Sequence, residues 1–285
     1  MTPRLRADLA LVLVTAVWGA TFVMVKDALL DLAPFWFLTF RFGLAALLLA
    51  PLALYPSSIG SGSAVKAGIM VGSFLFLGYS LQTVGLQYTS ASRAGFITGL
   101  TVVFVPIGQS LILRTRPKSA TTAGVVMAVA GMALLSLGGN DLAAFAVGDL
   151  LVLGCALAFT GHILALGRFA PYMSLVRLTF IQVLAAGLLC LPLAVSLEPF
   201  SLGGLSVALP AVVFTAALAT VGAYYVQARA QRFTSATHTA LIFALEPVFA
   251  ALFAYGFGGE RLGGLEVIGC LLILLGILTT QLELD

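Results

Sequence analysis

The sequence predicts an all-α integral membrane protein of ten transmembrane helices, arranged as two inverted five-helix repeats. Three observations predict this class. Hydrophobic residues make up 61% of the 285 residues and charged residues only 9%, with a mean hydropathy of +1.12, whereas about a quarter of the residues in a soluble domain are charged. Apolar runs near the length of about 20 residues that crosses a bilayer recur along the chain. Polar residues of the first half also recur at a nearly fixed distance in the second.

The apolar runs are predicted to be helices, because a backbone in lipid must satisfy its hydrogen bonds within its own segment. The run behind MTPRLRADLA has spanning length and no small-x-small cleavage site, so it is interpreted as a retained first helix. The first repeat is predicted over residues 1–140, with helices 9–25, 34–55, 65–86, 91–113 and 120–137. The second repeat is predicted over residues 141–285, with helices 147–166, 173–195, 207–228, 236–257 and 265–281.

Orientation follows from the basic residues, which are retained on the cytoplasmic side of a membrane. With a cytoplasmic N-terminus, the outer helix ends carry Lys26, Arg93 and Arg261. The cytoplasmic ends then carry the larger set, Arg4, Arg6, Lys66, Arg114, Arg116, Lys118, Arg168, Arg177, Arg229 and Arg232. The sequence therefore predicts a multi-pass protein of the cytoplasmic (inner) membrane with both termini in the cytoplasm.

The repeat is visible when the chain is compared with itself. At an offset of 141 residues Asp8 matches Asp149, Trp18 matches Phe159 and Pro51 matches Pro192. At 145 residues the matches are Tyr79 with Tyr224, Gln82 with Gln227, Arg116 with Arg261, Gly124 with Gly269, Gly131 with Gly276, and the YTSA from Tyr88 with the FTSA from Phe233. Because each half has an odd number of helices, the second half enters the membrane from the opposite side, which is the inverted repeat of transporters.

These stretches also carry a family resemblance. The run FTSATHTALIFALEPVFAALFAYGFGGERL from Phe233, the earlier YTSASRAGFITGLTVVFVPIGQSLILRTRP from Tyr88 and the opening VWGATFVMVK resemble the EamA family of the drug/metabolite transporter superfamily. The resemblance implies a ten-helix bundle with cytoplasmic termini, a central cavity between the halves, and export of small metabolites such as amino acids. The first half has Thr101-Val102 where the second has Glu246-Pro247.

Two charged residues lie inside predicted spans, where charges are costly and usually face a cavity or one another. Glu246 is interpreted either as a site for a cationic substrate group or a proton, or as a neutral, hydrogen-bonded packing residue. Arg41 is interpreted either as a holder of a substrate carboxylate, or as a structural residue that reaches the outer face or pairs with Asp27 or Asp31. The structural reading of Arg41 is preferred.

Polar and aromatic side chains supply the other candidates for a substrate cavity. Tyr79 and Gln82 share one face of the third helix, and Tyr224 and Gln227 repeat that face on the eighth, although such residues also occur at membrane interfaces. Aromatic walls are predicted from Trp18 and Phe159, with Tyr225 and His162. His162 is more typical of a packing residue than of a proton relay, and His238 is assigned to a loop.

Proline and glycine predict how the helices pack and bend. Pro106 and Pro247 are interpreted either as bend points for alternating access or as static kinks. Gly124 and Gly131 on the fifth helix, and Gly269 and Gly276 on the tenth, are spaced for close helix approach. A homodimer through the fifth or tenth helix is one use for these faces.

The leading hypothesis is a secondary transporter that exports small organic solutes, amino acids first, by alternating access, with proton coupling through Glu246 as an option. Amphipathic drugs or sugar-linked metabolites are the alternative cargo. A membrane-embedded enzyme or scaffold is the alternative class, but the sequence has no P-loop, HExxH or GxSxG motif. No cofactor, metal or nucleic-acid partner is expected, since the cysteines show no CxxC spacing and the basic residues form no stripe.

Overall fold

A computed structural model describes residues 2–54, 62–114, 116–138, 147–258 and 263–281, which form α-helices and no strand within those ranges. Residues 1–140 contribute α1 (Pro3–Ala28), α2 (Pro34–Ala53), α3 (Gly62–Gly85), α4 (Ala91–Gly99), α5 (Thr101–Leu113) and α6 (Ser119–Gly138). The rest contributes α7 (Val147–Phe169), α8 (Leu175–Leu197), α9 (Leu202–Ala216), α10 (Ala223–Ala230), α11 (Ala236–Phe243), α12 (Glu246–Gly258) and α13 (Gly264–Gln281).

The predicted all-α membrane class is confirmed by these helices. Seven helical segments of the described ranges are long and apolar enough to cross a membrane, and Ser119–Leu134, Ala236–Ala250 and Val267–Thr279 are shorter apolar helices. Large apolar side chains cover the outer surface, as expected of a face in contact with lipid; examples are Leu13, Leu47, Leu111, Leu188 and Leu202. The count of ten spans and their inverted arrangement stay predictions, and Arg261 lies outside the described residues.

The first helix is longer than the apolar run predicts. It begins at Pro3, whose ring fits the first helical position, and the Thr2 hydroxyl accepts a hydrogen bond from the Leu5 N–H at 3.2 Å. Asp8 therefore lies within the helix and is buried. The apolar run excluded this turn because Arg4, Arg6 and Asp8 are charged.

The start of α2 is held by a carboxylate from another helix. The Glu198 carboxylate follows α8 and accepts hydrogen bonds from the N–H groups of Phe35, at 2.9 Å, and Trp36, at 3.1 Å. A carboxylate is favourable at the positive end of a helix dipole. Burial raises the pKa of Glu198, and the two backbone hydrogen bonds lower it in part.

The predicted helices 91–113 and 236–257 are each interrupted. The first breaks at Leu100, between α4 and α5, and the second at Ala244 and Leu245, between α11 and α12. Leu245 is the counterpart of Leu100 at the offset of 145 residues. The two breaks thus occupy matching places in the two halves.

Both prolines that predict bends lie beside these breaks and not at them. Pro106 is inside α5, six residues after Leu100, so the interruption of the helix is not at this proline, and its role as a bend point for alternating access stays a prediction. Pro247 is the second residue of α12, where a missing backbone donor is tolerated because the first turn of a helix has no partner for it. His238, predicted in a loop, lies in the first turn of α11.

The predicted helix 207–228 extends from Leu202 to Ala230 and contains a π-helical segment, Ala217–Gly222, between α9 and α10. A π segment adds one residue to a turn and changes which backbone groups face outward, and such segments are frequent at functional sites. The carbonyl of Ala219 and the hydroxyl of Thr220 both accept hydrogen bonds from side chains of other helices.

Helices α6 and α13 pack against each other through their glycines. A Cβ added to Gly131 would lie 2.5 Å from the Gly269 carbonyl oxygen, and one added to Gly276 would lie 2.6 Å from that of Gly124. The predicted close-approach faces are therefore used within one chain. A homodimer through these helices stays a prediction, and its contact would have to use other residues of α6 or α13.

A single glycine lets α1 approach the break before α12. A Cβ added to Gly19 would lie 2.8 Å from the Glu246 carbonyl oxygen and 3.0 Å from the Ala250 nitrogen, both of them backbone atoms. Only a residue without a side chain permits this distance.

We expect Gly19→Ala to lower the stability of the protein by about 1–3 kcal/mol, the usual cost of overpacking, as measured by thermal denaturation in lipid nanodiscs. Gly43→Ala is the matched control, because no atom lies within 4 Å of a Cβ added there. Alanine is the better helix former, so the control should keep or slightly raise the melting temperature. Equal melting temperatures for the two variants would contradict the close approach.

Candidate functional site

One cavity within the bundle is lined by nine residues that the sequence nominates. The cavity-lining candidates are Trp18, Tyr79, Gln82, Phe159, His162, Tyr224, Gln227 and Glu246, joined by Arg41. They come from α1, α2, α3, α7, α10 and α12, so both halves contribute. Their role in binding stays a prediction; their convergence on one cavity is a property of the structure.

Arg41 is buried and donates hydrogen bonds to three groups. Its Nε donates to the Thr220 hydroxyl at 2.9 Å, and its Nη2 donates to the Tyr79 hydroxyl at 3.0 Å and to the Ala219 carbonyl oxygen at 3.4 Å. The guanidinium carbon also lies 4.2 Å from the centre of the Tyr79 ring, which favours a cation.

The structural reading of Arg41 does not describe this geometry. Asp27 and Asp31 are exposed, and neither pairs with Arg41. No carboxylate of the described ranges lies within ion-pair distance of the guanidinium. Its charge is balanced by neutral acceptors and an aromatic face at the cavity wall.

Glu246 lies at the first residue of α12, directly after the helix break. Its side chain is half-buried, lines the cavity and forms no hydrogen bond or ion pair with another described residue. The positive end of the α12 dipole favours a negative charge at this place. Thr101, its counterpart in the first half, lines the same cavity at the start of α5.

Tyr79 and Tyr224, counterparts in the sequence repeat, are in direct contact. The Tyr224 hydroxyl donates to the Tyr79 hydroxyl at 2.9 Å, and the ring centres are 6.4 Å apart. The chain of hydrogen bonds runs from Tyr224 through Tyr79, which also accepts from Arg41. Both tyrosines are buried in the bundle, so the interfacial alternative does not describe them.

The two glutamines differ in their contacts. Gln82 donates from Nε2 to the Thr98 hydroxyl at 3.1 Å. Gln227 is buried, and its Oε1 has no hydrogen-bond partner among the described residues. His162 Nε2 lies 2.8 Å from Oε1 of Gln182, the residue that matches Arg41 in the repeat.

Aromatic rings form much of the remaining wall. Trp18 packs edge-on against Phe243 at 4.9 Å and lies 5.6 Å from the Tyr224 ring, while its indole N–H donates to the Ala219 carbonyl oxygen at 2.9 Å. The ring centres of Phe159 and Tyr79 are 5.2 Å apart. Tyr225, predicted as part of the aromatic wall, instead lines a separate groove with Arg6 and Arg229.

Several lining residues were missed by the sequence analysis. They are Thr21, Phe22, Val25, Thr83, Leu86, Thr98, Gly99, Thr101, Ile163 and Phe243. On α1 the positions 18, 21, 22 and 25 have the spacing of one helix face, and on α3 the positions 79, 82, 83 and 86 do the same. Most of these residues lie within one helical turn of a nominated residue, so including the neighbours three and four positions away on the same face would have found them.

We expect Tyr79→Phe to weaken solute affinity about two- to tenfold, the range of a net hydrogen bond of about 0.5–1.5 kcal/mol, because Arg41 loses an acceptor. Tyr224→Phe should have a smaller effect, since its hydroxyl reaches Arg41 only through Tyr79. Tyr225→Phe on the same helix is the control and should change nothing, and apparent affinity in counterflow is the measurement. A loss with Tyr225→Phe equal to that with Tyr79→Phe would contradict the assignment.

Within the described ranges, no group of three or more histidine, cysteine, aspartate or glutamate side chains is placed to hold a metal ion. The apolar outer surface is that of a multi-pass membrane protein. Its inner cavity is lined by one basic residue, Arg41, one acidic residue, Glu246, and several aromatic rings. Such a site is typical of membrane transporters, where interrupted helices supply polar groups near the middle of the bilayer.

Comparison with known proteins gives the family. The model of the EamA-like transporter family matches residues 5–137 and again residues 146–281. An "uncharacterized transporter" of Archaeoglobus fulgidus is 36% identical over 281 residues, covering 98% of this chain and 87% of the relative. A second relative, the uncharacterized transporter YyaM of Bacillus subtilis, is 26% identical over 279 residues, 92% of this chain and 89% of the relative. The chain belongs to the EamA-like transporter family, and it is a membrane transporter.

The fold also matches a solved structure. A chain of known crystal structure aligns with a TM-score of 0.79 at 19% sequence identity, covering 98% of each chain. At this identity the likeness concerns the fold alone. It supports the arrangement of the helices and carries nothing about the solute.

Proposed function

We propose that this transporter exports a small zwitterionic solute, an amino acid, across the cytoplasmic membrane by alternating access of two inverted halves. One observation carries the proposal: the cavity holds Arg41 and Glu246 together, and neither forms an ion pair within the described part of the chain. Buried charges are costly without a partner. A solute with a carboxylate for Arg41 and an ammonium group for Glu246 would supply both.

The remaining walls fit the rest of an amino acid. A guanidinium binds a carboxylate through two parallel hydrogen bonds, and the neighbouring Tyr79 hydroxyl keeps it oriented. Trp18, Phe159 and Phe243 offer apolar faces for a side chain. An amphipathic drug would use these faces without needing both charges, and a sugar-linked metabolite would need more hydrogen-bonding groups.

The contact between repeat counterparts supports the inverted arrangement. In a two-fold arrangement a residue close to the axis meets its own counterpart, and Tyr79 and Tyr224 do so at 2.9 Å. The matching helix breaks at Leu100 and Leu245 extend the same relation to the backbone. In such an arrangement, rocking of the halves would expose the cavity to either side of the membrane in turn.

Counterflow in proteoliposomes tests the proposal with a matched set of solutes. Phenylalanine is compared with phenylalanine amide, which lacks the carboxylate, and with 3-phenylpropionate, which lacks the ammonium group. We expect saturable exchange of the amino acid and at least about tenfold weaker exchange of each analogue, since a charged hydrogen bond contributes about 1.5–3 kcal/mol. Equal exchange of all three would favour amphipathic cargo, and no saturable exchange of any solute would favour a scaffold.

The proposed orientation has its own test. Asp31 is exposed and follows α1, so a membrane-impermeant maleimide should label Asp31→Cys on intact cells. The same reagent should label Ser61→Cys, in the predicted cytoplasmic connection between the second and third spans, only after permeabilisation. Labelling of Ser61→Cys from outside would reverse the topology.

A further inference from the structure

Near each end of α1, an acid from one half of the chain contacts a base from the other half. Near its start, Asp8 Oδ1 lies 3.3 Å from Nε2 of His238 in α11. We call this pair the proximal latch. Beyond its end, Asp149 in the first turn of α7 forms an ion pair with Arg93 of α4. We call this pair the distal latch.

The distal latch is tied to the end of α1 by two further hydrogen bonds. The Thr89 hydroxyl donates to Asp149 Oδ1 at 2.6 Å, and Lys26 Nζ, in the last turn of α1, donates to the Thr89 carbonyl oxygen at 2.8 Å. Asp149 is completely buried. Separation of α1 and α4 from α7 at this end would therefore have to break both contacts of Asp149, those with Thr89 and Arg93.

The two latches are counterparts in the sequence repeat. Asp8 matches Asp149 at the offset of 141 residues, and Arg93 matches His238 at 145. Each latch also joins the two halves, because each acid pairs with a base from the other half. Asp8 contacts His238, and their repeat counterparts, Asp149 and Arg93, contact each other. Such reciprocal contacts are typical of a two-fold interface.

The latches lie at opposite ends of the solute cavity. Asp8 and Lys26 are 18 residues apart on one helix, which is about 27 Å at 1.5 Å per residue and close to the hydrocarbon thickness of about 30 Å. Trp18, which lines the cavity, lies between them. One latch thus closes the bundle on each side of the cavity.

We propose that the proximal and distal latches are the two gates of the transport cycle, and that each must open while the other stays closed. The inference rests on the proposed function for the solute, but the gating itself needs no particular cargo. In the structure both latches are formed. The gating residues are Asp8, His238, Arg93 and Asp149, and none of them lines the cavity.

Reversible cross-linking of the full-length protein in proteoliposomes tests the proposal. Cys155, Cys190 and Cys270 are first replaced by alanine. The pair Arg93→Cys and Asp149→Cys, or the pair Asp8→Cys and His238→Cys, is then joined by a short thiosulfonate cross-linker. We expect either cross-link to reduce counterflow at least about tenfold and a reductant to restore it, which also shows that the variant is folded. Unchanged counterflow with complete cross-linking would overturn the proposal.

A second measurement does not depend on the solute. A cysteine at Val25, which lines the cavity beside Lys26, reports access from each side to an impermeant maleimide. Asp149→Asn should raise labelling from the side of the membrane nearer the distal latch about tenfold or more, because it removes the buried negative charge that pairs with Arg93. Asp27→Asn, an exposed acid on the same end of α1, is the matched control and should leave the labelling rate unchanged.

Equal labelling rates in Asp149→Asn and Asp27→Asn would overturn the distal gate. The two proposals fail in different ways: absence of saturable exchange for every solute tested would remove the proposed cargo, whereas the labelling rates of Val25→Cys would still report whether the latch opens. A rise in labelling only from the membrane side nearer the distal latch would support a gate at that latch. A general loosening of the fold would instead raise labelling from both sides of the membrane.

Discussion

Glu246→Gln is expected to weaken phenylalanine counterflow about ten- to a hundredfold, because it removes the only acid that lines the described cavity. The amide of glutamine keeps the size and one acceptor oxygen but loses the charge, and a charged hydrogen bond contributes about 1.5–3 kcal/mol. Exchange of 3-phenylpropionate, which has no ammonium group, should hardly change. The measurement is the apparent affinity for each solute in proteoliposomes.

The control for this variant is Asp31→Asn, which removes an exposed acid outside the cavity and should leave both solutes unaffected. Equal losses of phenylalanine and of 3-phenylpropionate in Glu246→Gln would contradict a contact between the ammonium group and the carboxylate.

Proton transport by Glu246 gives a different outcome with the same variant. If the carboxylate carries a proton, Glu246→Gln should exchange phenylalanine with unchanged affinity but should no longer accumulate it in response to a pH gradient. Counterflow without a gradient and uptake driven by a gradient, measured on the same vesicles, separate the two roles. A variant that keeps both affinity and gradient-driven uptake would assign neither role to Glu246.

Arg41→Lys is expected to weaken phenylalanine exchange by a similar factor, about ten- to a hundredfold, although the charge is kept. Lysine presents a point charge and lacks the planar fork that binds a carboxylate through two hydrogen bonds. It also cannot reproduce the contacts of the guanidinium with Thr220 and Tyr79 together. Phenylalanine amide, which has no carboxylate, should be exchanged by this variant as well as by the parent protein.

Protein stability separates a binding role of Arg41 from a structural one. Lysine keeps the positive charge, and the loss of a net hydrogen bond costs about 0.5–1.5 kcal/mol, so Arg41→Lys should melt within a few degrees of the parent in the absence of solute. A large loss of stability together with equal losses for all solutes would mean that Arg41 only supports the fold.

The sequence located the cavity because charged, polar and aromatic side chains are costly in lipid and therefore turn inward. Tyr79 and Tyr224 were found by this rule together with the repeat, and they meet in the structure. The same rule misjudged Arg41, because the sequence shows the nearest acids, Asp27 and Asp31, but not which groups face the guanidinium. Two of its three acceptors, Thr220 and Ala219, lie 179 and 178 residues further along the chain.

Backbone interruptions were the part of the fold that the sequence concealed. The break at Leu100 and the π-helical segment at Ala217–Gly222 lie in predominantly apolar runs, which predict continuous helices. Tertiary contacts decide the geometry of these interruptions. The Ala219 carbonyl oxygen accepts hydrogen bonds from Trp18 and Arg41. Gly19 allows α1 to approach the break before Glu246. No periodicity of hydrophobic residues records such contacts.

Glu246 and Thr101, which differ in charge, occupy equivalent positions in the two halves of the structure. Both residues begin a helix after a matching break, and both line the one cavity. The halves therefore share a scaffold and differ in charge at equivalent places. A solute with one positive and one negative group would lie in a fixed direction between Glu246 on one side and Arg41 on the other.

A structure of the transporter with bound phenylalanine tests the central claim most directly. We predict that the solute carboxylate lies within hydrogen-bonding distance of the Arg41 guanidinium, that its ammonium group contacts the Glu246 carboxylate, and that its ring packs among Trp18, Phe159 and Phe243. A solute bound outside this cavity, or bound inside it with neither charged group near Arg41 or Glu246, would contradict the claim.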